Sequence, residues 1–133
     1  MIKKISILLT VLLVSINVIA QRVNAFARVT SISGTTFNVA NVEENDDSFE
    51  IGERIIVMQM QDDVIGSNTN NNSSFGDLSS IQSAGLYEIR TISGITESGG
   101  IPVTITVSGS LTNSYNTGTN SRVQLISFPT LGS

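Results

Sequence analysis

Apolar and polar residues alternate with a period of two through most of the chain, a spacing that predicts strands. Residues 49–61, FEIGERIIVMQMQ, form the longest strongly apolar run beyond the N-terminus. Within it Ile56, Met58 and Met60 share one face, while Ile55 and Val57 share the other, with Gln59 and Gln61 after them. The pattern predicts a strand buried on both sides at its start and half exposed at its end, with the methionines filling core. The other strands read as its partners. Residues 23–33 and 36–42 predict a hairpin around Gly34-Thr35. In residues 86–92, Tyr87 and Ile89 lie on one face and Glu88 and Arg90 on the other. Residues 93–102, with Gly94, Gly99 and Gly100, predict a hairpin loop. Val103, Ile105 and Val107 then point inward with Thr104 and Thr106 outward, and residues 122–128 predict a last strand that Pro129 stops.

One stretch carries helical spacing. In residues 77–85, DLSSIQSAG, Asp77 is a good N-cap, Leu78, Ile81 and Ala84 share a face, and Gly85 can end the turn. A helix this short does not stand alone, so it is expected to plug one end of a sheet or barrel. Three polar stretches separate the strands. Residues 43–48 are acidic, residues 62–74 are rich in Asn, Asp and Ser, and residues 108–121 are polar with Leu111 and Tyr115 as anchors. The sum is an all-β fold, a small antiparallel barrel or sandwich of about six or seven strands with one short helix.

The N-terminus falls outside this pattern. Lys3 and Lys4 precede an apolar run from Ile5 to Ile19, and Val18 and Ala20 occupy the small-residue positions of a cleavage site. Residues 1–20 therefore read as a secretory signal peptide cut before Gln21, and residues 21–133 as a single β-rich domain. The run is shorter than the roughly 20 residues that span a bilayer, so no membrane span is expected after cleavage. No cysteine follows the cut, which excludes a lipoprotein anchor.

The cut also changes the charge. Of the seven basic residues both lysines are lost, leaving five arginines against 11 acidic residues, a net charge of −6. An acidic, lysine-free surface argues against nucleic acid and anionic lipid as partners. The chain has no Cys, His or Trp. That removes disulfides, thiol sites, His-ligated zinc and every His-dependent catalytic triad.

The candidate patch lies where the central strand runs into the long polar loop. Gln59, Gln61, Asp62, Asp63, Asn68, Asn70 and Asp77 offer amides and carboxylates, the groups that bind sugar hydroxyls or calcium. The acidic residues 43–48 also attract a hard cation, although they lack the EF-hand spacing and its glycine. No other cofactor is indicated. Asp62 and Asp63 make a poor glycosidase pair, because neighbours on a strand point to opposite faces. Folding could bring Asp77 or Glu88 near them, but the spacing does not require it. The scarcity of aromatic residues weakens both sugar readings.

The series FEIGERIIVMQMQ, FGDLSSIQSAGLYEI, LTNSY and VQLISFP resembles the N-terminal region of large secreted, adhesin-like surface proteins of Bacteroidetes. Many of those proteins carry a gliding-motility-associated or type IX secretion sorting domain at the far C-terminus. The resemblance covers roughly residues 25 to 129 and implies no catalytic residues. Such proteins continue far beyond the length of this chain, so a truncated reading frame, a fragment and a stand-alone version all stay open. The expectation is a non-enzymatic exported module of a cell-surface or adhesion protein, in contact with a surface glycan, a protein or the rest of a longer chain. A carbohydrate- or calcium-binding module is the alternative, and a carboxylate-based glycosidase is the third reading.

Overall fold

In the computed structural model, which describes residues 24–63 and 81–128, six strands close into an antiparallel barrel. They are β1 (Phe26–Ser33), β2 (Thr36–Glu43), β3 (Arg54–Gln61), β4 (Tyr87–Ser98), β5 (Ile101–Val107) and β6 (Arg122–Ser127). The order around the barrel is β1-β2-β5-β4-β3-β6, and β6 returns to β1. Of the two sequence alternatives, the fold is therefore the barrel. Closure leaves no continuous open edge along the ladder, which is how a small β protein avoids edge-to-edge pairing.

The two-residue period sorts each strand into an inner and an outer set. Ala27, Val29, Phe37, Val39, Ile55, Val57, Ile92, Ile105, Val107, Val123 and Leu125 fill the interior. Bulges on the β1–β2, β3–β6 and β4–β5 ladders interrupt the register and supply the curvature that closure requires. Gly34 turns β1 into β2 at a φ of 60°, a conformation that suits glycine.

Several expectations are corrected. The methionines are not core: Met58 is only half-buried on the outer wall, and Met60 is 52% exposed. The inner face of β3 is instead Ile55, Val57 and Gln59. A strand in a closed barrel has one inside, so its second apolar face must lie outside. Val103 is likewise exposed. The expected loop over residues 93–102 is mostly strand, with only Gly99 and Gly100 turning β4 into β5. Of the expected helix, residues 77–80 lie outside the described residues. Residues 82–85 form turns: Ala84 N closes one on Ile81 O at 3.0 Å, and Gly85 N leaves the local pattern to donate to Gln59 O at 2.8 Å. Leu111 and Tyr115 do pack against the core, as the sequence indicated.

The barrel has two unlike ends. At one end the described chain enters and leaves: Ala25 N donates to Ser127 Oγ at 2.7 Å, and Ser127 N donates to Ala25 O at 2.8 Å. The acidic connection from β2 to β3 lies there too, with Asp47 accepting from the Ser127 hydroxyl. At the opposite end β3 ends and β4 begins, and residues 108–121 connect β5 to β6. Among the described residues no helix is long and apolar enough to cross a membrane.

Candidate functional site

The candidate patch maps to the end with the long connections, where the polar side chains of β3 and β4 meet residues 108–121. A bulge lies between Gln59 and Gln61, and the Gln61 carbonyl is within reach of the Gln59 side chain. Gln59 is completely buried. Its Nε2 donates to Gln61 O at 2.7 Å, Asn116 O at 2.8 Å and, more weakly, Arg122 O at 3.3 Å. Its Oε1 accepts from Asn116 N at 2.8 Å. One amide thus satisfies both backbone groups of Asn116 and closes the barrel mouth over the core, as a buried amide must be bonded to be tolerated.

Asp62 and Asp63, just beyond the end of β3, diverge. Asp62 is buried and accepts from the hydroxyl and, at 3.4 Å, the backbone N–H of Ser83. Asp63 faces the other connection: its Oδ2 accepts from Asn116 Nδ2 at 3.0 Å and its Oδ1 from Asn120 N at 3.1 Å. Asn116 Oδ1 accepts in turn from Gly118 N at 2.9 Å. The structure therefore brings Gln59 and Asp63 together around Asn116 and turns Asp62 toward the β3–β4 connection. Gln61 is half-buried at the rim. Asn68, Asn70 and Asp77 lie outside the described residues.

Gly118 packs against this network. A methyl group there would lie 2.6 Å from Asp63 Oδ2 and 3.0 Å from Asn116 Oδ1, two atoms already engaged in the network. Gly118→Ala is expected to lower stability by about 1–2 kcal/mol, read as a drop in Tm by thermal denaturation. Gly94→Ala is the control, since its methyl would meet only Thr106 Cβ at an ordinary 3.8 Å.

A second group of contacts holds the same connection from β4. Glu88 is 8% exposed, and its carboxylate accepts from Thr112 N at 3.0 Å and Asn113 N at 3.1 Å. It also pairs with Arg90, whose Nη2 donates to Ser110 O at 3.0 Å and Thr112 Oγ1 at 2.7 Å. Burial alone would raise the Glu88 carboxyl. The Thr112 and Asn113 amides, the Tyr115 hydroxyl and the Arg90 charge together outweigh it and hold the group below its ordinary value. Burial, with the Glu88 carboxylate beside it, pushes the Tyr115 phenol up to about 12. That phenol donates to Val57 O at 3.3 Å.

What this arrangement does chemically is fasten residues 108–121 to β3 and β4. Sequence reasoning missed Asn113, Asn116 and Gly118 as members of it, and named Glu88 only as a distant carboxylate. The one local signal was the density of Asn, Thr and Gly in residues 112–120, which marks a loop with its own internal bonding. In the acidic connection, Glu44 accepts from Phe49 N at 2.9 Å, and Glu43 accepts from Asn45. Among the described residues no group of three or more acidic, His or Cys side chains is gathered to hold a metal ion.

Fold and site define a class: a small closed antiparallel barrel whose mouth is covered by a long connection pinned through a buried amide and a buried carboxylate. Comparison with known family models, curated proteins and solved structures gave no match.

Proposed function

We propose that this chain is a non-catalytic, exported module of a cell-surface or adhesion protein, displaying the loop-covered end of its barrel to a protein or glycan partner. The observation that carries the reading is the placement of the ends. Asn24 Nδ2 donates to Ser127 O at 2.8 Å, so the chain enters and leaves the barrel side by side. β3 ends and β4 begins at the opposite end, where residues 108–121 also lie, in the arrangement of a head presented on a stalk. The N-terminal signal pattern supports export. The resemblance to adhesin-like surface proteins of Bacteroidetes points the same way.

The carbohydrate- or calcium-binding alternative would use the same end. Gln61 and Asp63 are only partly buried there, whereas Gln59 and Asp62 are fully enclosed. Mass spectrometry of source cells separated into cytosol, envelope and medium tests the main reading. The expected product begins at Gln21 and is found in the envelope or the medium. A cytosolic product that retains residues 1–20 would overturn it. A rise in Tm with millimolar calcium or with a glycan would favour the binding-module alternative.

A further inference from the structure

The outer wall formed by β1, β6 and β3 carries a groove of about 300 Å³ lined by Arg28, Met60, Arg122, Val123 and Gln124. The strand register builds it. Gln124 lies opposite Arg28 on one side and Met58 on the other, and Met60 lies exposed on the outer face of β3. This acidic protein thus places two arginines on one groove. Arg90 is paired with Glu88, and Arg54 stacks on the Phe128 ring at 5.0 Å. Among the described residues, neither Arg28 nor Arg122 has a carboxylate within ion-pair distance. The Arg122 guanidinium is held in place by Thr119 O at 3.0 Å and Ser121 O at 2.6 Å.

The complementary surface lies at the other end of the same molecule. Glu50, Ile51, Gly52 and Glu53 form a tight turn closed by Glu53 N to Glu50 O at 3.2 Å, with Gly52 at a φ of 95°. Ile51 is its tip and is 65% exposed. The turn thus offers an exposed apolar residue with an acidic residue on either side of it in the chain, and the groove offers Met60 together with two arginines. Partial burial first, and then the charges of Glu50 and Asp47, raise the Glu53 carboxyl. The turn is tied to β4 by Gly52 N to Ile92 O at 2.9 Å and Ile92 N to Glu53 O at 2.8 Å, so it cannot reach the groove of its own chain.

We propose that the Arg28–Arg122 groove seats the 50–53 turn of a second copy, with Ile51 against Met60 and the Glu50 and Glu53 carboxylates on the two guanidiniums. The contact is head to tail. Each added copy leaves one groove and one turn open, so the assembly grows as a chain unless the rotation closes a ring. A single turn makes a small interface, so association is weak in solution and gains strength where copies are held together on a surface.

Sedimentation of the full chain tests this. At about 20 mM salt the mean mass is expected to rise with concentration, and at about 0.5 M salt to return to the monomer as the charges are screened. Arg28→Glu alone and Ile51→Ser alone should each weaken association at least about tenfold, a 1.4 kcal/mol effect. Mixed one to one they should form a heterodimer and nothing larger, because only one intact groove and one intact turn remain. Circular dichroism checks that both variants are folded. The proposal is overturned by a wild-type chain that stays monomeric at low salt, by variants that assemble as the wild type does, or by a mixture that stays monomeric. Association through residues 1–20 would survive both high salt and the substitutions, which overturns it equally.

Discussion

Gln59→Glu is expected to be among the most damaging single substitutions in this protein, although it exchanges only an amide NH2 for an oxygen. The Gln59 Nε2 points at three carbonyl oxygens, those of Gln61, Asn116 and Arg122. An ionised carboxylate would put a buried negative charge against all three, with no donor to offer them. Gln59→Leu removes the same bonds without adding charge. It leaves the Asn116 N–H and the carbonyls unpaired, and should cost about 3 kcal/mol, or on the order of 10–20 °C in Tm for a domain of this size. Gln59→Glu should cost more than Gln59→Leu at neutral pH.

The two variants separate further in acid. Burial among carbonyls raises the new carboxyl above its unfolded value of about 4.3. A group raised on folding contributes stability below its unfolded pKa and loses it as pH rises through the folded one. The Gln59→Glu deficit, taken as the difference from wild type at each pH, should therefore shrink as pH falls toward about 4, because the neutral acid can donate one hydrogen bond. The Gln59→Leu deficit should stay level. Urea unfolding followed by circular dichroism across pH reads both. Negligible losses in both variants would mean that Gln59 acts by its volume and not by its bonds.

The same residue shows what the sequence could and could not disclose. The two-residue period located β1, β2, β5 and β6 because side chains on a strand alternate whatever the strand packs against. It could not say which side of β3 faces inward, since Ile55 and Val57 on one side and Ile56 and Met58 on the other are equally apolar. The polar ending, Gln59 then Gln61, looked like exit to solvent. In the structure that end is roofed by residues 108–121, and the amide is buried because Asn116 supplies its partners. Nothing near Gln59 in the sequence announces a partner fifty-seven positions away. The turn at residues 81–85 failed for a related reason. Apolar residues three apart suited a helix, but the donors of Ser83 and Gly85 went to Asp62 and Gln59 instead. Where backbone groups have long-range partners, local spacing loses its authority.

Removing the Glu88 carboxylate is the second large effect expected. Glu88→Gln keeps the shape of the side chain. One of the Thr112 and Asn113 N–H groups would then face an NH2, and Arg90, at 22% exposure, would lose its counter-charge. Breaking a buried pair by removing one partner costs about 3–5 kcal/mol; with Arg90 partly open to solvent, about 2–3 is expected here. The wild type carries a matching acid signature. Because the folded state holds the Glu88 carboxyl below its ordinary value, its contribution is full above the unfolded pKa of about 4.3 and is lost as pH falls through the folded one. Wild type should therefore lose stability in acid faster than Glu88→Gln, and the two should converge at the lowest pH. Hydrogen exchange offers a local reading: the Thr112 and Asn113 amides should lose protection in the variant before the strand amides of β3 do. The double substitution Glu88→Gln with Arg90→Met then separates pair from penalty. If the single-variant loss comes mainly from a stranded guanidinium, removing that charge as well should recover part of it, and the cycle should give a coupling of about 1–2 kcal/mol. Additive losses would instead mean that Glu88 acts through its two backbone bonds alone, with the Arg90 charge a bystander in holding the connection closed.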